Sequence, residues 1–170
     1  MKKRIALIST GGTIEKTYCE LQGVMRNEVS VLDVMIASLQ LEGVDLVRVP
    51  LMNKDSLEMS IEDHTLIAQT ALAMSQAHDG VVIVHGTDRL AQTGERTLEL
   101  APKPRVPIVL TGAMRPYELR HTDAIQNFTE ALLAVQWMPA GVYVAMHNQV
   151  LSFPGVAKDP DRLKFIKTSS

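Results

Sequence analysis

The sequence predicts an α/β fold, a single domain in which a mostly parallel sheet is covered by helices on both faces. Short apolar runs alternate along the chain with segments of helical periodicity, which is the pattern of strand–helix–strand units. The Val-Val-Ile-Val run within Gly80–Val84 is continuously apolar, as expected of a strand buried on both faces. A chain of 170 residues can bury about two-thirds of its unfolded surface in one core. We therefore expect residues 1–170 to form one domain.

Five strands are expected, each a short apolar run that ends in polar or glycine residues. They cover residues 4–9, 45–51, 80–84, 106–110 and 141–146. Residues 15–27 are polar and show no helical or strand period, so a mobile loop that can close over a site is expected there. The tail, residues 158–170, shows no clear element and is expected to be a partly ordered terminus or a segment that docks on a partner.

Four helices are expected from apolar positions at helical spacing. The first two follow Ser30 and Ser60, and each serine has an aspartate three residues later, the spacing of a helix-capping box. The third and fourth helices cover residues 91–100 and 122–137 and are followed by prolines, which cannot continue a helix.

Composition narrows the classes of partner. The net charge is -2 and the isoelectric point is near 6.2, so there is no basic surface of the kind that nucleic acids require. The single cysteine, Cys19, excludes an internal disulfide framework and suits a reducing compartment. The apolar run after the basic residues 2–4 ends at Ser9, too early for a signal peptide. We expect a cytoplasmic protein that binds a small polar molecule and neither nucleic acid nor membrane.

Chemically capable side chains follow the predicted strands. They are Thr13, Ser56, Thr87, Asp88 and Lys158. Because open α/β sheets bind ligands at the carboxyl ends of their strands, these side chains should converge at one rim. A hydroxyl next to a proton acceptor is the basic equipment of nucleophilic acyl transfer. Since a carboxylate raises the pKa of a neighbouring lysine, proton sharing within a network fits Lys158 better than a neutral amine does.

Simpler interpretations stay open for each of these residues. Thr13 and Ser56 can be turn hydroxyls, Asp88 can cap the helix that follows it, and Lys158 can be a solvated charge. In the catalytic interpretation, the backbone amides around Gly86 supply an oxyanion hole.

Three motifs at the ends of the first, third and fourth strands resemble the bacterial-type L-asparaginase family. They are Thr10-Gly11-Gly12-Thr13-Ile14, His85-Gly86-Thr87-Asp88 and Gly112-Ala113-Met114-Arg115-Pro116. Asp55-Ser56 with Met59, Asp123 with Asn127, and Lys158 follow the same order as in that family. The resemblance covers nearly the whole chain and implies the fold of an asparaginase N-terminal domain.

The resemblance also implies roles. Thr13 matches the family's nucleophile, and Tyr18 matches the tyrosine that activates it. Thr87, Asp88 and Lys158 resemble the second catalytic set, which positions water and relays protons. The substrate contacts implied by the family are Gly12, Ser56 for the α-carboxylate, Thr87, Asp88 for the α-amino group, and the carbonyl of Ala113 for the side-chain amide. The implied reaction converts L-asparagine to L-aspartate and ammonia through an acyl-enzyme, without metal or other cofactor.

Two departures from the family bear on the substrate and the assembly. Most members are about twice as long and carry a second domain that completes a neighbouring active site, so this chain resembles a short, single-domain branch. A homodimer or larger homo-oligomer, in which another protomer covers the site, is therefore expected. Leu57 stands where many relatives have a polar residue, which predicts weaker binding of the α-carboxylate. The alternatives are glutamine, D-asparagine or another amide as substrate, or a non-catalytic sensor or amidotransferase subunit.

The remaining polar and aromatic residues are expected to be structural. The histidines show no metal-ligand spacing, and His85 is expected to hold its turn by a hydrogen bond. Arg115 is expected to pair with a carboxylate of the fold, and Trp137 to pack at a helix end.

Overall fold

The fold is built on a six-stranded sheet in a computed structural model, which describes residues 1–168. The strands of these residues are β1 (Lys3–Gly11), β2 (Thr17–Cys19), β3 (Val24–Arg26), β4 (Val44–Lys54), β5 (Gly80–Val84), β6 (Pro107–Thr111), β7 (Gly141–Met146), β8 (Gln149–Ser152), β9 (Val156–Asp159) and β10 (Lys164–Lys167). Their α-helices are α1 (Leu32–Ala37), α2 (Ile61–Ser75), α3 (Leu90–Leu100) and α4 (Ala124–Trp137).

The sheet has the order β4-β1-β5-β6-β7-β8, and every neighbouring pair is parallel except β7 and β8. From β1 the chain crosses to β4 on one side and then returns to β5 on the other side. The strand order therefore reverses between β1 and β5, and ligands of open α/β sheets bind in the crevice outside such a reversal.

Helices cover both faces of the sheet, which confirms the predicted α/β architecture. Successive residues of β1 point to opposite faces, so Ile5 lies in one core and Ala6 in the other. The first core contains α1 and α4, with Phe128 fully buried. The second contains α2 and α3, with Ile67 and Leu90 fully buried. Burial on both faces explains why β5 and β6 have no exposed residue.

The two predicted capping boxes have different outcomes. Ser60 caps α2 as predicted, because its side chain accepts from the Asp63 N–H while the Asp63 carboxylate accepts from the Ser60 N–H. The prediction for Ser30 is wrong: Val31 is the N-cap residue of α1 and makes no side-chain cap. The Ser30 hydroxyl donates to the buried carboxylate of Glu15 and accepts only a long hydrogen bond, 3.4 Å, from the Leu32 N–H.

The end of the chain is more regular than its sequence indicated. Beyond β7 the chain turns at His147 and Asn148, both with positive φ, and returns as β8 along the sheet edge. β9 and β10 then form an antiparallel pair, so the prediction of a tail without elements is wrong. β9 carries Lys158. Residues 169–170 of that predicted tail lie outside the described residues.

Two further predictions from the sequence concern residues 15–27 and Trp137. The expected loop 15–27 contains the short antiparallel pair β2 and β3. Trp137 ends α4 but is 77% exposed, so the expectation that it packs at the helix end is wrong. None of the helices in residues 1–168 has the length and apolar character needed to cross a bilayer.

Candidate active site

The turn after β1 places Gly12, the residue before Thr13, against the turn after β5. Gly11 and Gly12 have φ values of 97° and 83°, a conformation that glycine adopts without strain. The Gly12 N–H donates to the Lys54 carbonyl at 2.8 Å. A Cβ on Gly12 would lie 2.4 Å from the Cα of Gly86, so the two backbones approach as closely as glycine allows. Thr13 is half-buried and directly follows this close contact with the second motif.

His85 holds the turn after β5 from beneath. Its side chain is fully buried, with Nδ1 2.8 Å from the Gly86 carbonyl oxygen and Nε2 2.7 Å from Thr93 Oγ1. Burial lowers the pKa of His85 to about 4, although the hydrogen bond to Gly86 favours the charged form. The ring is neutral at pH 7 and has the structural role expected from the sequence.

Lys158 reaches the second motif from β9. Its Nζ donates to Thr87 Oγ1 at 2.8 Å and to Asp88 Oδ1 at 2.7 Å. Thr87 is buried, and the side chain of Lys158 is 17% exposed while that of Asp88 is 41% exposed. The ammonium group thus lies between a buried hydroxyl and a carboxylate that faces solvent. This excludes the solvated-charge interpretation of Lys158.

Ser56 lies directly behind the same turn. It is fully buried, and its Oγ accepts a hydrogen bond from the Arg89 N–H at 3.3 Å. A Cβ on Gly86 would lie 2.6 Å from Ser56 Oγ, so the hydroxyl contacts the turn itself. A substrate carboxylate would have to displace part of this packing to reach the Ser56 hydroxyl.

Asp55 forms an ion pair that the sequence did not predict. Its Oδ2 accepts from Lys16 Nζ at 2.6 Å. Burial pushes the pKa of Asp55 upward, but hydrogen bonds from Lys16 and from the Leu57 N–H, with the positive charges of Lys16 and Lys158, lower it overall. The pair joins the segment after Thr13 to the turn that carries Ser56. The one sequence feature that Lys16 and Asp55 share is that each lies in a segment that follows a strand, β1 or β4.

Asp123 fixes the third motif. Its carboxylate accepts from the N–H groups of Met114 and Arg115 and from His147 Nε2, at 3.0, 3.0 and 2.7 Å. Burial pushes its pKa upward, and the hydrogen bonds, that from Met114 foremost, outweigh burial and lower it. The Ala113 backbone is fully buried beside this network. The sequence had shown only that Asp123 and Asn127 follow the family order, and it predicted no contact between Asp123 and the third motif. His147 gave no signal because it joins through a turn with positive φ.

Two predicted contacts are not present. Tyr18 is 55% exposed on β2, and no hydrogen bond within residues 1–168 joins its hydroxyl to Thr13. Its backbone N–H donates to Glu118, so the activating role of Tyr18 stays a prediction. The prediction for Arg115 is wrong: its guanidinium donates to the backbone carbonyl of His121 rather than to a carboxylate.

Asn27 joins the site although its sequence context gave no sign of it. Its Nδ2 donates to the Gly12 carbonyl at 2.8 Å and so ties β3 and the following segment to the nucleophile turn. It lines a small cleft of about 190 Å³ together with Lys16 and Asp55. Within residues 1–168, no group of three or more metal-ligating side chains is close enough to hold an ion.

Comparison with known proteins gives consistent matches. The model of the family described as "Asparaginase, N-terminal" matches residues 4–159. The L-asparaginase of Thermococcus kodakarensis is 30% identical over 91% of this chain and 47% of its own length. A subunit of the glutamyl-tRNA(Gln) amidotransferase of Methanobrevibacter smithii is 30% identical over 88% of this chain and 34% of its own length. The solved structure of a probable cytoplasmic L-asparaginase from Campylobacter jejuni has a TM-score of 0.74, with 31% identity over 92% of this chain and 48% of that one. This chain therefore spans half the length of these relatives or less.

Proposed function

This chain belongs to the asparaginase family, and we propose that it hydrolyses the side-chain amide of L-asparagine, giving L-aspartate and ammonia. The observation that carries the proposal is the bridge from Lys158 Nζ to Thr87 Oγ1 and Asp88 Oδ1, at 2.8 and 2.7 Å. A buried hydroxyl, an ammonium and a carboxylate in hydrogen-bonded sequence can move a proton to and from a reacting group.

In the first step, Thr13 Oγ1 attacks the amide carbon and its proton is taken up by the neighbouring groups, with Tyr18 in the activating role. The C–O bond of an ester forms, the C–N bond breaks, and ammonia leaves with the proton. The negative charge on the carbonyl oxygen is stabilised by backbone N–H groups of the turn at Gly86, because the Gly12 N–H is already bonded to the Lys54 carbonyl at 2.8 Å. Tyr18 lies on an exposed hairpin, so its part in this step requires the hairpin to close over Thr13.

In the second step, water attacks the ester carbon and the bond from that carbon to Thr13 Oγ1 breaks. The proton that water gives up is returned to Thr13 Oγ1, so that L-aspartate leaves and the Thr13 hydroxyl is restored. The Nζ of Lys158 lies 2.7 Å from Asp88 Oδ1. Lys158 therefore works as a shared-proton partner. Thr87 takes the proton of the attacking water and passes its own proton to Lys158, which gives one of its protons to Asp88 Oδ1. The reverse transfers deliver a proton to Thr13 Oγ1 and restore all three groups. This is the network that the sequence favoured over a neutral lysine.

The same residues would orient the substrate. Lys158 occupies Asp88 Oδ1, which leaves Oδ2 for the α-ammonium group, and the partly exposed side chain of Asp88 is accessible to it. The Ala113 carbonyl would face the side-chain amide. Ser56 is fully buried, so its contact with the α-carboxylate depends on movement of the turn at Gly86. Weak binding of the α-carboxylate is the expected consequence.

The test is ammonia release by the purified chain from L-asparagine, L-glutamine and D-asparagine in parallel. Release from L-asparagine that clearly exceeds release from the other two supports the proposal. Greater release from L-glutamine would mean that the same mechanism acts on glutamine as the main substrate. Glutamine is longer than asparagine by one methylene, which changes the binding free energy by about 1–3 kcal/mol. Thermal stabilisation by L-asparagine without ammonia release would contradict catalysis and favour a binding protein.

A second candidate is an amidotransferase component, in which the released ammonia is passed to another protein. It is favoured by the similarity to the amidotransferase subunit of Methanobrevibacter smithii. In this case, amide hydrolysis should be low for the chain alone and should rise when a partner from the same cell is added. That result would support an amidotransferase component over a free-standing asparaginase.

We also propose a setting for the activity. Residues 1–170 act as one asparaginase-like domain in the cytoplasm, a location supported by the similarity to the probable cytoplasmic L-asparaginase of Campylobacter jejuni. A second copy of the chain covers the exposed side of the site, where Asp88 and Tyr18 face solvent. Sedimentation at assay concentrations tests this, since a strictly monomeric and fully active chain would contradict it.

A further inference from the structure

A cavity between α2 and α3 lies away from the candidate active site. It has a volume of about 380 Å³, within the range of small-molecule sites. The residues that line it are Ile61, His64, Ala91, Gln92, Glu95, Arg96 and Glu99. The proposed reaction uses none of them.

His64 contributes a buried polar atom without a partner. The residue is 5% exposed, its Nδ1 lies 2.7 Å from Thr93 Oγ1, and its Nε2 has no hydrogen-bond partner in residues 1–168. An unsatisfied buried nitrogen costs about 1–3 kcal/mol, so a ligand or an ordered water that reaches it would be stabilised.

The hydrogen bonds assign this nitrogen as an acceptor. The Gly86 carbonyl only accepts, so His85 Nδ1 carries the hydrogen and the neutral ring accepts at Nε2. Thr93 must therefore donate to His85, and it accepts from His64 Nδ1. Desolvation, assisted by the Arg89 charge, lowers the pKa of His64. With the hydrogen on Nδ1, the neutral ring of His64 presents a lone pair at Nε2 and needs a donor.

The other lining residues select a positively charged donor. Two carboxylates, Glu95 and Glu99, face one guanidinium, Arg96, which already binds Glu99 at 3.1 Å and Thr65 at 3.1 Å. The lining therefore has one excess negative charge. A primary ammonium group has three N–H donors and no acceptor, which matches a histidine lone pair beside carboxylates. Ile61 and Ala91 offer an apolar wall to the body of such a molecule.

Two paths of contact join this cavity to the candidate active site. One is the hydrogen-bonded series from His64 through Thr93 and His85 to Gly86, the residue before Thr87. In the other, Glu95 Oε1 accepts from the Gly155 N–H at 2.6 Å. Gly155 directly precedes β9, the strand that carries Lys158. Both ends of the Lys158–Thr87 hydrogen bond are thus tied to residues of the cavity.

We propose that the cavity between α2 and α3 is a second ligand site. It binds a small aliphatic primary amine through His64 Nε2 and the carboxylates of Glu95 and Glu99. Binding of the amine shifts the Gly86 turn and β9. Binding itself does not depend on the proposed reaction. An effect on turnover does rest on it, so binding and turnover are measured separately.

The experiment is a titration of the full chain, carrying ¹⁵N-labelled histidine and backbone, with n-butylammonium chloride, followed by NMR. n-Butyltrimethylammonium chloride is the matched control probe, because it has the same charge and chain but no N–H donor. We expect a saturable shift of the His64 Nε2 resonance with n-butylammonium alone, accompanied by shifts of the Gly86 and Lys158 amide signals. Glu99→Gln should weaken binding about two- to five-fold, as for a partly exposed ion pair. Glu20→Gln, at an exposed position outside the cavity, should leave it unchanged.

Several outcomes would overturn the proposal. A His64 nitrogen that is already hydrogen-bonded in the free protein and shows no saturable change would mean that the cavity holds water only. Equal shifts with both probes would mean that charge acts without donor recognition. Binding that Glu99→Gln does not weaken would move the site elsewhere. Binding without shifts at Gly86 and Lys158 would overturn the connection to the active site. If binding is observed and no amide is hydrolysed, the proposed function fails while the ligand site stands.

Discussion

Replacing Lys158 with methionine should impair catalysis far more than folding. Methionine keeps an unbranched side chain of similar length and removes only the ammonium. The loss affects two hydrogen bonds, to Thr87 at 2.8 Å and to Asp88 at 2.7 Å. Asp88 is 41% exposed, so its carboxylate remains hydrated in the variant.

The structure sets the size of the two effects. A partly exposed ion pair contributes about 0.2–1 kcal/mol and a hydrogen bond to a buried hydroxyl about 1 kcal/mol, so unfolding should become easier by about 1–2 kcal/mol. For a domain of this size this lowers the Tm by about 2–8 °C. Loss of a proton-transfer partner slows chemistry about 10²- to 10⁴-fold, equivalent to about 3–5 kcal/mol in the barrier. The loss of activity should therefore far exceed the loss of stability.

The assay compares kcat and KM for L-asparagine with thermal unfolding of the same preparations. Lys164→Met is the matched control, because Lys164 lies on the neighbouring strand β10 opposite Asp159 and its ammonium makes no hydrogen bond within residues 1–168. We expect a large drop in kcat, a small change in KM and a modest drop in Tm for Lys158→Met, and no change for the control. A kcat close to that of the wild-type chain, in a folded Lys158→Met variant, would refute the proton-relay role.

Three further predictions concern stability and are measured by thermal unfolding. Gly12→Ala should destabilise strongly, because it combines a positive φ with a Cβ only 2.4 Å from Gly86 Cα. Gly23→Ala should cost only about 1 kcal/mol, because its φ is also positive but its Cβ would meet only the Tyr18 hydroxyl oxygen, at 3.9 Å. Equal losses would contradict the close approach of the two turns. Ser60→Ala should cost about 1 kcal/mol through loss of the α2 cap, and an unchanged Tm would contradict the capping box. Asp123 has a pKa below the usual 3.8, so its contribution to the free energy of unfolding is fully present above pH 3.8 and is lost as the pH falls through the lower folded-state pKa. Asp123→Asn should therefore lower the Tm more at pH 7 than at pH 3. An equal loss at both pH values would refute the lowered pKa of Asp123.

The sequence predicted the elements that bury apolar residues with a clear period. β5 has the predicted bounds and α2 begins after Ser60 as predicted, because burial on both faces, helical spacing and a capping box all act within a few residues. It also indicated the convergence of Thr87, Asp88 and Lys158. The argument from strand ends holds only for Thr87 and Asp88, which follow β5, because Lys158 lies on β9 in a separate antiparallel pair.

The sequence failed where a distant residue decides the local structure. Ser30 has the spacing of a cap but is bound by the buried carboxylate of Glu15. The strands after β7 are short, and their turn uses His147 and Asn148 at positive φ instead of glycine, so the usual hairpin signal is missing. Long-range contacts of this kind have no counterpart in a pattern of neighbouring residues.

Two long-range contacts around the site could not be predicted from the sequence for the same reason. Lys16 lies 39 residues from Asp55, yet the two form an ion pair across the site. Asn27 reaches the Gly12 carbonyl from a segment without any recognisable period. Both contacts follow from how β2, β3 and the turn after β4 come together. Their residue types are too common in loops to have been singled out.

The most direct test of the central proposal is ammonia release from L-asparagine by Thr13→Ala and Thr13→Ser, measured on preparations shown to be folded by circular dichroism. Serine keeps the nucleophilic oxygen and alanine removes it, so the pair isolates the oxygen from the shape of the turn. We expect the serine variant to retain measurable ammonia release and the alanine variant to lose it. Release by the alanine variant at the wild-type rate would contradict Thr13 as the nucleophile.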